Sequence, residues 1–104
     1  CYVLSSKYES AGAGLISTAD DYILFLNAMC NGGNGADGYK ILSTESINQM
    51  RRDQLHDVSK KEFDLMGKAG YSYGLGVRTL IEKEKSGARS PLGEFGWDGA
   101  AGAY

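Results

Sequence analysis

Serine, histidine and lysine side chains are the groups in this sequence that could carry out nucleophilic catalysis. A nucleophilic serine needs a base within hydrogen-bond reach, and a third group commonly orients that base. The single histidine, His56, lies in a charged segment without a partner motif, so we interpret it as a surface residue. No Gly-x-Ser-x-Gly elbow and no Ser-x-x-Lys motif occurs, and Ser6-Lys7 and Ser59-Lys60 are adjacent pairs without helical spacing. The sequence therefore predicts no complete nucleophile and base in this chain.

Two further patterns suggest ligand sites, but each has a simpler structural interpretation. Asp20 and Asp21 are neighbouring carboxylates, yet adjacent positions of a helix face about 100° apart. Gly12-Ala13-Gly14 precedes a predicted helix, as a dinucleotide-binding loop would, but the strand before it is weak and no βαβ unit follows. We therefore expect no metal and no cofactor, and a tight loop packed beneath the helix at residues 12–14.

Small residues dominate the segment Gly96-Trp97-Asp98-Gly99-Ala100-Ala101-Gly102. A strand of this composition presents its backbone N–H groups without side chains in the way, and the tryptophan supplies an apolar wall. Two interpretations remain open from the residues alone. The segment is either a ligand-binding edge or a glycine-rich strand packed under a helix.

Two helices are predicted ahead of this segment. Ser17 and Thr18 stand three residues before Asp20 and Asp21, which is a capping-box arrangement. The helix that starts there ends at Asn31-Gly32-Gly33 and carries its apolar residues at helical spacing. These residues are expected to form one buried face, on which Cys30 is a small core residue: Tyr22, Phe25, Leu26, Met29 and Cys30. A second helix is predicted after the cap Ser43, with Ile47, Met50 and Leu55 on one side.

Strands are predicted in the second half of the chain. The hydrophobic period falls to two over residues 71–82, which predicts one long strand. Residues 56–70 before it lack a period, and we expect a long loop or a covering segment there. Gly74 and Gly76 share one face of that strand, so we expect either a close neighbour on the sheet or a bend. A second strand over residues 94–104 is expected to pair antiparallel with it through the Ser86-Gly87 connection. The fold class is therefore α+β, with two helices followed by antiparallel strands.

Composition limits the classes of protein that this chain can represent. The 104 residues carry a formal net charge of −2, with 42% hydrophobic and 23% charged residues, which fits a single small globular domain over residues 1–104. Basic residues alternate with acidic ones, so we expect no nucleic-acid partner. No stretch approaches the roughly 18 apolar residues of a membrane span, and we expect no signal leader because these residues show no basic-then-apolar pattern. Cys1 and Cys30 are predicted to be free thiols.

In this order and spacing, several segments resemble the later part of the serine β-lactamase-related family. That family includes class C β-lactamases, penicillin-binding proteins, D-aminopeptidases and family VIII-type esterases. The resembling segments are AGAGLISTADDY (11–22), FLNAMCNGG (25–33), ILS (41–43), MRRDQL (50–55), YSYGLGV (71–77) and GEFGWDGAAG (93–102). The resemblance implies that the chain is part of a β-lactamase/transpeptidase-like fold.

The resemblance also assigns roles to residues. The family's catalytic serine lies in Ser-x-x-Lys and is assisted by a Tyr-x-Asn-like motif, and both would lie upstream of Cys1. Trp97-Asp98-Gly99 resembles the third motif, Lys-Thr-Gly, in the variant where an aromatic residue replaces the lysine, as in the related esterases. The resemblance thus implies substrate binding by Trp97, Asp98 and Gly99. It also implies one of two oxyanion-hole donors at the backbone N–H of Ala100, a kind of donor worth on the order of 3 kcal/mol.

These implications give two expectations for function. The first is a fragment of a bacterial-type serine hydrolase, inactive alone, whose longer protein cleaves a small ester, amide or β-lactam-like substrate through an acyl-enzyme. Because the motif lysine is absent and Asp98 adds negative charge, neutral or cationic esters and amides are favoured over β-lactams. The second is a catalytically inactive ligand-binding or regulatory module on the same fold. We expect the chain to self-associate through exposed strand edges. The resemblance is compatible with either a cytoplasmic or an exported protein.

Overall fold

A computed structural model describes residues 14–99 of the chain. The predicted loop at residues 12–14 falls largely outside this range, and so does the predicted oxyanion donor Ala100. Helices and strands follow one another in the order α1 (Ala19–Cys30), α2 (Thr44–Met50), α3 (Asp57–Phe63), β1 (Tyr71–Tyr73), β2 (Arg78–Leu80), α4 (Lys83–Ser86) and β3 (Phe95–Gly96). A turn with π-helical hydrogen bonding, Asp64–Lys68, extends α3. The α+β class is confirmed.

Local sequence determines where α1 begins and ends. The Thr18 hydroxyl accepts a hydrogen bond from the Asp21 N–H at 3.1 Å and donates one to the Asp21 carboxylate at 2.9 Å. At the other end Gly32 and Gly33 take positive φ angles of 62° and 90°, which stops the helix after the cap Asn31. Both predicted ends of α1 are confirmed.

The second helix is shorter than predicted. Ser43 caps it as expected, because its hydroxyl accepts from the Ser46 N–H at 3.0 Å. The helix ends at Met50, however, so Leu55 lies beyond it. The Met50 carbonyl accepts a hydrogen bond from the Leu75 N–H at 2.8 Å. This tertiary contact occupies the carbonyl that would accept a helical hydrogen bond if the helix continued.

The prediction of one long strand over residues 71–82 is wrong. The segment forms the two strands of a hairpin, β1 and β2, with Tyr71 opposite Leu80 and Tyr73 opposite Arg78. Gly76 makes the bend possible with a φ of 81°. The expected close neighbour on the sheet is present at Gly74, because a Cβ there would lie 1.9 Å from the Met50 carbonyl oxygen.

The prediction of a long loop over residues 56–70 is also wrong, because α3 and the π-helical turn occupy most of it. The helix is polar on most sides, and Phe63 is its one buried residue. An ion pair between Lys60 and Asp64, one turn apart, adds local support. One buried apolar residue does not produce a helical hydrophobic periodicity, so the sequence pattern does not predict this helix.

The described part of β3 is short and lies at the edge of the sheet. The sheet order is β1-β2-β3, and β2 pairs antiparallel with β3, placing Arg78 opposite Gly96. This pairing confirms the predicted antiparallel arrangement, although α4 occupies the connection that precedes Gly87. The predicted strand over residues 94–104 reaches only Phe95–Gly96 within the described range. Residues 97–99 continue without strand pairing, and residues 100–104 lie outside.

The predicted buried face of α1 is largely open. Tyr22, Phe25 and Leu26 keep 42%, 44% and 38% of their surface exposed. Cys30 is an exposed free thiol, so its assignment to the core is wrong. The reason is that few described residues pack over this face of the helix. The buried apolar residues of the described range are Ala28, Met29, Ile47, Phe63 and Leu80. Within residues 14–99, no helix is both long enough and apolar enough to cross a membrane.

Candidate functional site

The sequence-predicted site residues Trp97, Asp98 and Gly99 directly follow β3 at the sheet edge. Trp97 is 46% exposed and Gly99 is exposed, whereas Asp98 is partly buried. Because the described strand ends at Gly96, the contacts that residues 14–99 make with these three residues come from side chains rather than from a ladder of hydrogen bonds. Two sets of contacts supply them, one aromatic and one ionic.

The aromatic set consists of Phe63, Tyr73 and Trp97, called the aromatic trio below. The Trp97 ring stacks on Phe63 at 6.4 Å between centroids, with the ring planes 22° apart. It meets Tyr73 edge-on at 5.1 Å, and Tyr73 meets Phe63 at 6.0 Å. Each such pair contributes about 0.5–1.5 kcal/mol beyond the area that it buries. The trio therefore joins α3, β1 and the residue after β3 into one packed unit.

The ionic set consists of Lys68, Arg78, Glu94 and Asp98, called the ion cluster below. Asp98 receives the Lys68 ammonium on one carboxylate oxygen at 2.5 Å and lies 3.4 Å from the Arg78 guanidinium on the other. Arg78 also binds Glu94 at 3.2 Å. The four side chains are 17–29% exposed, so water screens these pairs less than it screens pairs on an open surface.

The electrostatics of Asp98 follow from this cluster. The hydrogen bond from Lys68 lowers the pKa of Asp98, partial burial opposes the shift, and the charge of Arg78 adds to the lowering. Asp98 is therefore ionised at neutral pH and faces two cations. The cluster as a whole has two positive and two negative groups, so Asp98 does not present an unbalanced negative charge. That finding removes the electrostatic basis for expecting the site to disfavour anionic substrates.

An open groove of about 730 Å³ runs between α1, α2 and β3. Its lining is mainly apolar, and the charged residues among it are Arg51 and Glu94. Trp97 belongs to the lining, which connects the groove to the site that follows β3. The apolar side chains that line it are Tyr22, Phe25, Leu26, Met29, Ile47, Met50, Val77, Pro91, Leu92, Phe95 and Trp97.

Within residues 14–99, the side chains do not form a catalytic nucleophile and base. No hydrogen bond in this range joins a serine hydroxyl to a lysine or histidine side chain, and the fully buried Ser72 hydroxyl donates instead to Asp53. His56 is exposed at the start of α3 and makes no capping bond there. What the described residues offer chemically is an apolar wall, an exposed edge backbone and a neutralised ion cluster.

Sequence reasoning missed four residues that surround the predicted site: Phe63, Lys68, Tyr73 and Arg78. In a single strand over residues 71–82, Tyr73 and Arg78 would lie on opposite faces, and the hairpin turn brings both near Trp97. Lys68 is separated from Asp98 by thirty positions, so no local spacing could pair them. The one usable signal was Phe63, an isolated aromatic residue in a charged segment.

Comparison with known proteins gives few matches. No family model matches the chain. Protein Rv1367c of Mycobacterium tuberculosis is 35% identical to it over 108 residues. An uncharacterized protein of the same species, strain CDC 1551, gives the same values. Each match covers 99% of this chain and 27% of the relative, so the chain spans about a quarter of the length of the curated relatives that it matches.

Proposed function

We propose that this chain contributes one wall of the active site to a serine hydrolase of the β-lactamase-related type, which cleaves esters or amides through an acyl-enzyme. The observation that supports the proposal is the position of Trp97-Asp98-Gly99, directly after an edge strand and beside an open apolar groove. In the family that the chain resembles, the third motif lies on an edge strand beside the active site, so this position is next to the one that the resemblance implies.

An edge strand suits this role because of its free backbone groups. Among the described strands β3 pairs with β2 alone, so its second edge has no described strand partner. Backbone N–H groups aimed at a developing oxyanion are worth several kilocalories per mole in a water-poor site, and glycine keeps side chains out of their way. In the proposed enzyme, Gly99 gives the substrate access to the backbone, and the next N–H, that of Ala100, donates to the oxyanion.

The groove indicates the class of substrate. Trp97 forms an apolar wall, and the ion cluster beside it is balanced in charge. The site therefore discriminates weakly between substrates of different charge. Burial of apolar surface supplies most of the binding energy. We propose that the acyl group of the substrate is uncharged and apolar, and that it lies along the groove.

The nucleophile and its base belong, in this proposal, to a part of the longer protein outside this chain. The curated relatives are about four times as long as the region that they share with it, which leaves room for such a part. The relatives' names describe no activity, so support for the proposal comes from the motif order and the site geometry.

The test uses the longer protein that contains this chain. We expect a fluorophosphonate probe to label one serine, and we expect p-nitrophenyl esters to be hydrolysed faster than a chromogenic β-lactam. Trp97→Ala should lower ester kcat/KM by roughly tenfold, since it removes a wall that orients the substrate. Tyr39→Ala, which changes an aromatic residue that is 71% exposed and outside the groove, should leave it unchanged. Absence of labelling and of turnover would contradict the proposal.

A second candidate is a ligand-binding module without catalysis. It is favoured by one observation, namely that the groove and Trp97 are formed by residues 14–99 while a nucleophile and base are not. In that case p-nitrophenyl esters quench the fluorescence of Trp97 in a saturable way, with no labelling and no product. Saturable quenching together with turnover supports the hydrolase instead.

A further inference from the structure

The three residues after Gly96 lack the support that strand pairing normally gives to an active-site edge. The register places Arg78 opposite Gly96, and the described pairing goes no further. Among the described residues 14–99, the contacts that hold residues 97–99 therefore come through the side chains of Trp97 and Asp98, because Gly99 has no side chain. The aromatic trio holds Trp97 from one side.

Asp98 is held from two directions by residues far apart in the chain. Lys68 reaches it from the π-helical turn that follows α3, and Arg78 reaches it from β2. The same guanidinium also binds Glu94, two residues before Gly96, while Asp98 lies two residues after it. Arg78 thus spans the end of β3, and its guanidinium lies 5.1 Å from the centre of the Tyr71 ring.

Lys68 contacts both side chains that fix the segment. Its ammonium pairs with Asp98 and lies 5.8 Å from the centre of the Trp97 ring. Gly67, with a φ of 78°, allows the chain to turn directly before Lys68. A single side chain from another element therefore contacts two consecutive residues of the candidate site.

We infer that Lys68 is a positioning residue of the proposed site, and that with Arg78 it clamps Asp98 so that residues 97–99 keep one path. This inference rests on the proposed function and deepens it. It also changes the role of Asp98, whose carboxylate accepts a hydrogen bond from Lys68 on one oxygen and faces the Arg78 guanidinium at 3.4 Å on the other. Asp98 then acts on the substrate only through the backbone that it fixes. In this proposal neither Lys68 nor Arg78 transfers a proton in the catalytic step.

The clamp has a predictable pH dependence. The charged groups facing Asp98 are Lys68 from the π-helical turn and Arg78 from β2, and Glu94 competes for Arg78. Because the pKa of Asp98 is lowered in the folded state, the clamp contributes stability above the ordinary pKa of an aspartate. That contribution is lost as the pH falls through the lower, folded-state pKa. At neutral pH the clamp is closed.

The first experiment needs no catalysis and is made on this chain. Trp97 is its single tryptophan, so intrinsic fluorescence reports directly on the site. We expect the emission to change with pH at a midpoint below the ordinary aspartate pKa. Lys68→Met should raise that midpoint, Lys68→Arg should keep it low, and Asp98→Asn should abolish the transition. Lys61→Met, at an exposed lysine without an ion pair among residues 14–99, is the matched control.

The second experiment uses the longer protein and separates the clamp from the chemistry. Lys68→Met should lower the kcat for a p-nitrophenyl ester by roughly tenfold to a hundredfold with a smaller effect on KM, and Lys68→Arg should restore it. If the longer protein shows no activity, the proposed function fails while the fluorescence titration still decides the clamp. The inference is overturned if the unsubstituted chain titrates at or above the ordinary aspartate pKa. It is equally overturned if Lys61→Met moves the midpoint as far as Lys68→Met.

Discussion

The helical region of the molecule, residues 14–50, and the sheet region, residues 57–99, are built in different ways. In the helical region the main ties are local, such as the cap at Thr18 and the cap at Ser43. In the sheet region they join distant residues, as in the aromatic trio and the ion cluster. The difference teaches that local signals are enough to form a helix, but a packed site needs contacts between distant segments.

The apolar residues of α1 along the groove are more exposed than Phe63 at the centre of the aromatic trio. Tyr22, Phe25 and Leu26 of α1 remain 38–44% exposed along the groove, whereas Phe63 of the trio is buried. Since buried apolar area drives folding, Phe63 contributes more stability than any one of these three residues of α1. The groove side is where a ligand or another part of a longer protein gains most from binding.

The largest expected difference comes from removing one aromatic ring in each region. Phe63→Ala should lower the free energy of unfolding by about 4 kcal/mol, because it empties the centre of the trio. Phe25→Ala should lower the free energy of unfolding by about 1 kcal/mol, because nearly half of that side chain is already exposed. Denaturant titration measures both, and Trp97 emission should move to longer wavelength in the first variant alone. Equal costs would contradict the contrast between the regions.

The junction between the two regions is tested at Gly74. A Cβ there would meet the Met50 carbonyl oxygen at 1.9 Å and the Arg52 carbonyl oxygen at 3.0 Å, and both are backbone atoms. Gly74→Ala should therefore lower the free energy of unfolding by about 3 kcal/mol and weaken the Leu75-to-Met50 hydrogen bond. In Gly96→Ala the nearest atom to the new Cβ within residues 14–99 would be an Arg78 side-chain nitrogen at 3.9 Å. That control should change stability little, and a similar loss in both variants would count against the close-packing explanation.

The smallest expected effect is a local one in the helical region. Thr18→Ala should cost about 1 kcal/mol, because it leaves the Asp21 N–H without its capping acceptor. Ser17→Ala should be nearly neutral, since within residues 14–99 that hydroxyl donates its hydrogen bond to the neighbouring Thr18 carbonyl alone. Circular dichroism measures the helix content of both variants, and denaturant titration measures their unfolding midpoints. A loss of Trp97 packing in Thr18→Ala would show that the two regions are more strongly coupled than the contacts indicate.

How far the fold could be predicted depends on the range of the signals. Thr18, Ser43 and the Gly32-Gly33 pair specify helix ends through atoms a few residues away, and these predictions are confirmed. The long strand over residues 71–82 failed because alternation alone does not distinguish one strand from a tight hairpin, although Gly76 carried the turn signal.

The candidate site divides in the same way. Trp97, Asp98 and Gly99 could be chosen from the sequence by their composition and by resemblance, and the structure places them next to an open groove. Their roles as substrate-binding residues stay predictions. Lys68 and Arg78 could not be chosen, because their partner Asp98 is thirty and twenty positions away.

The sequence by itself determined the α+β class, the capped start of α1 and the glycine-rich segment after β3, because each depends on near neighbours in the chain. Tertiary structure alone decided which side chains surround that segment. It brought Phe63 and Tyr73 to Trp97, and it placed Asp98 between Lys68 and Arg78. The physical reason is that ion pairs and ring stacking act over a few ångströms in space. Which groups come that close is settled by how the hairpin, α3 and β3 pack together.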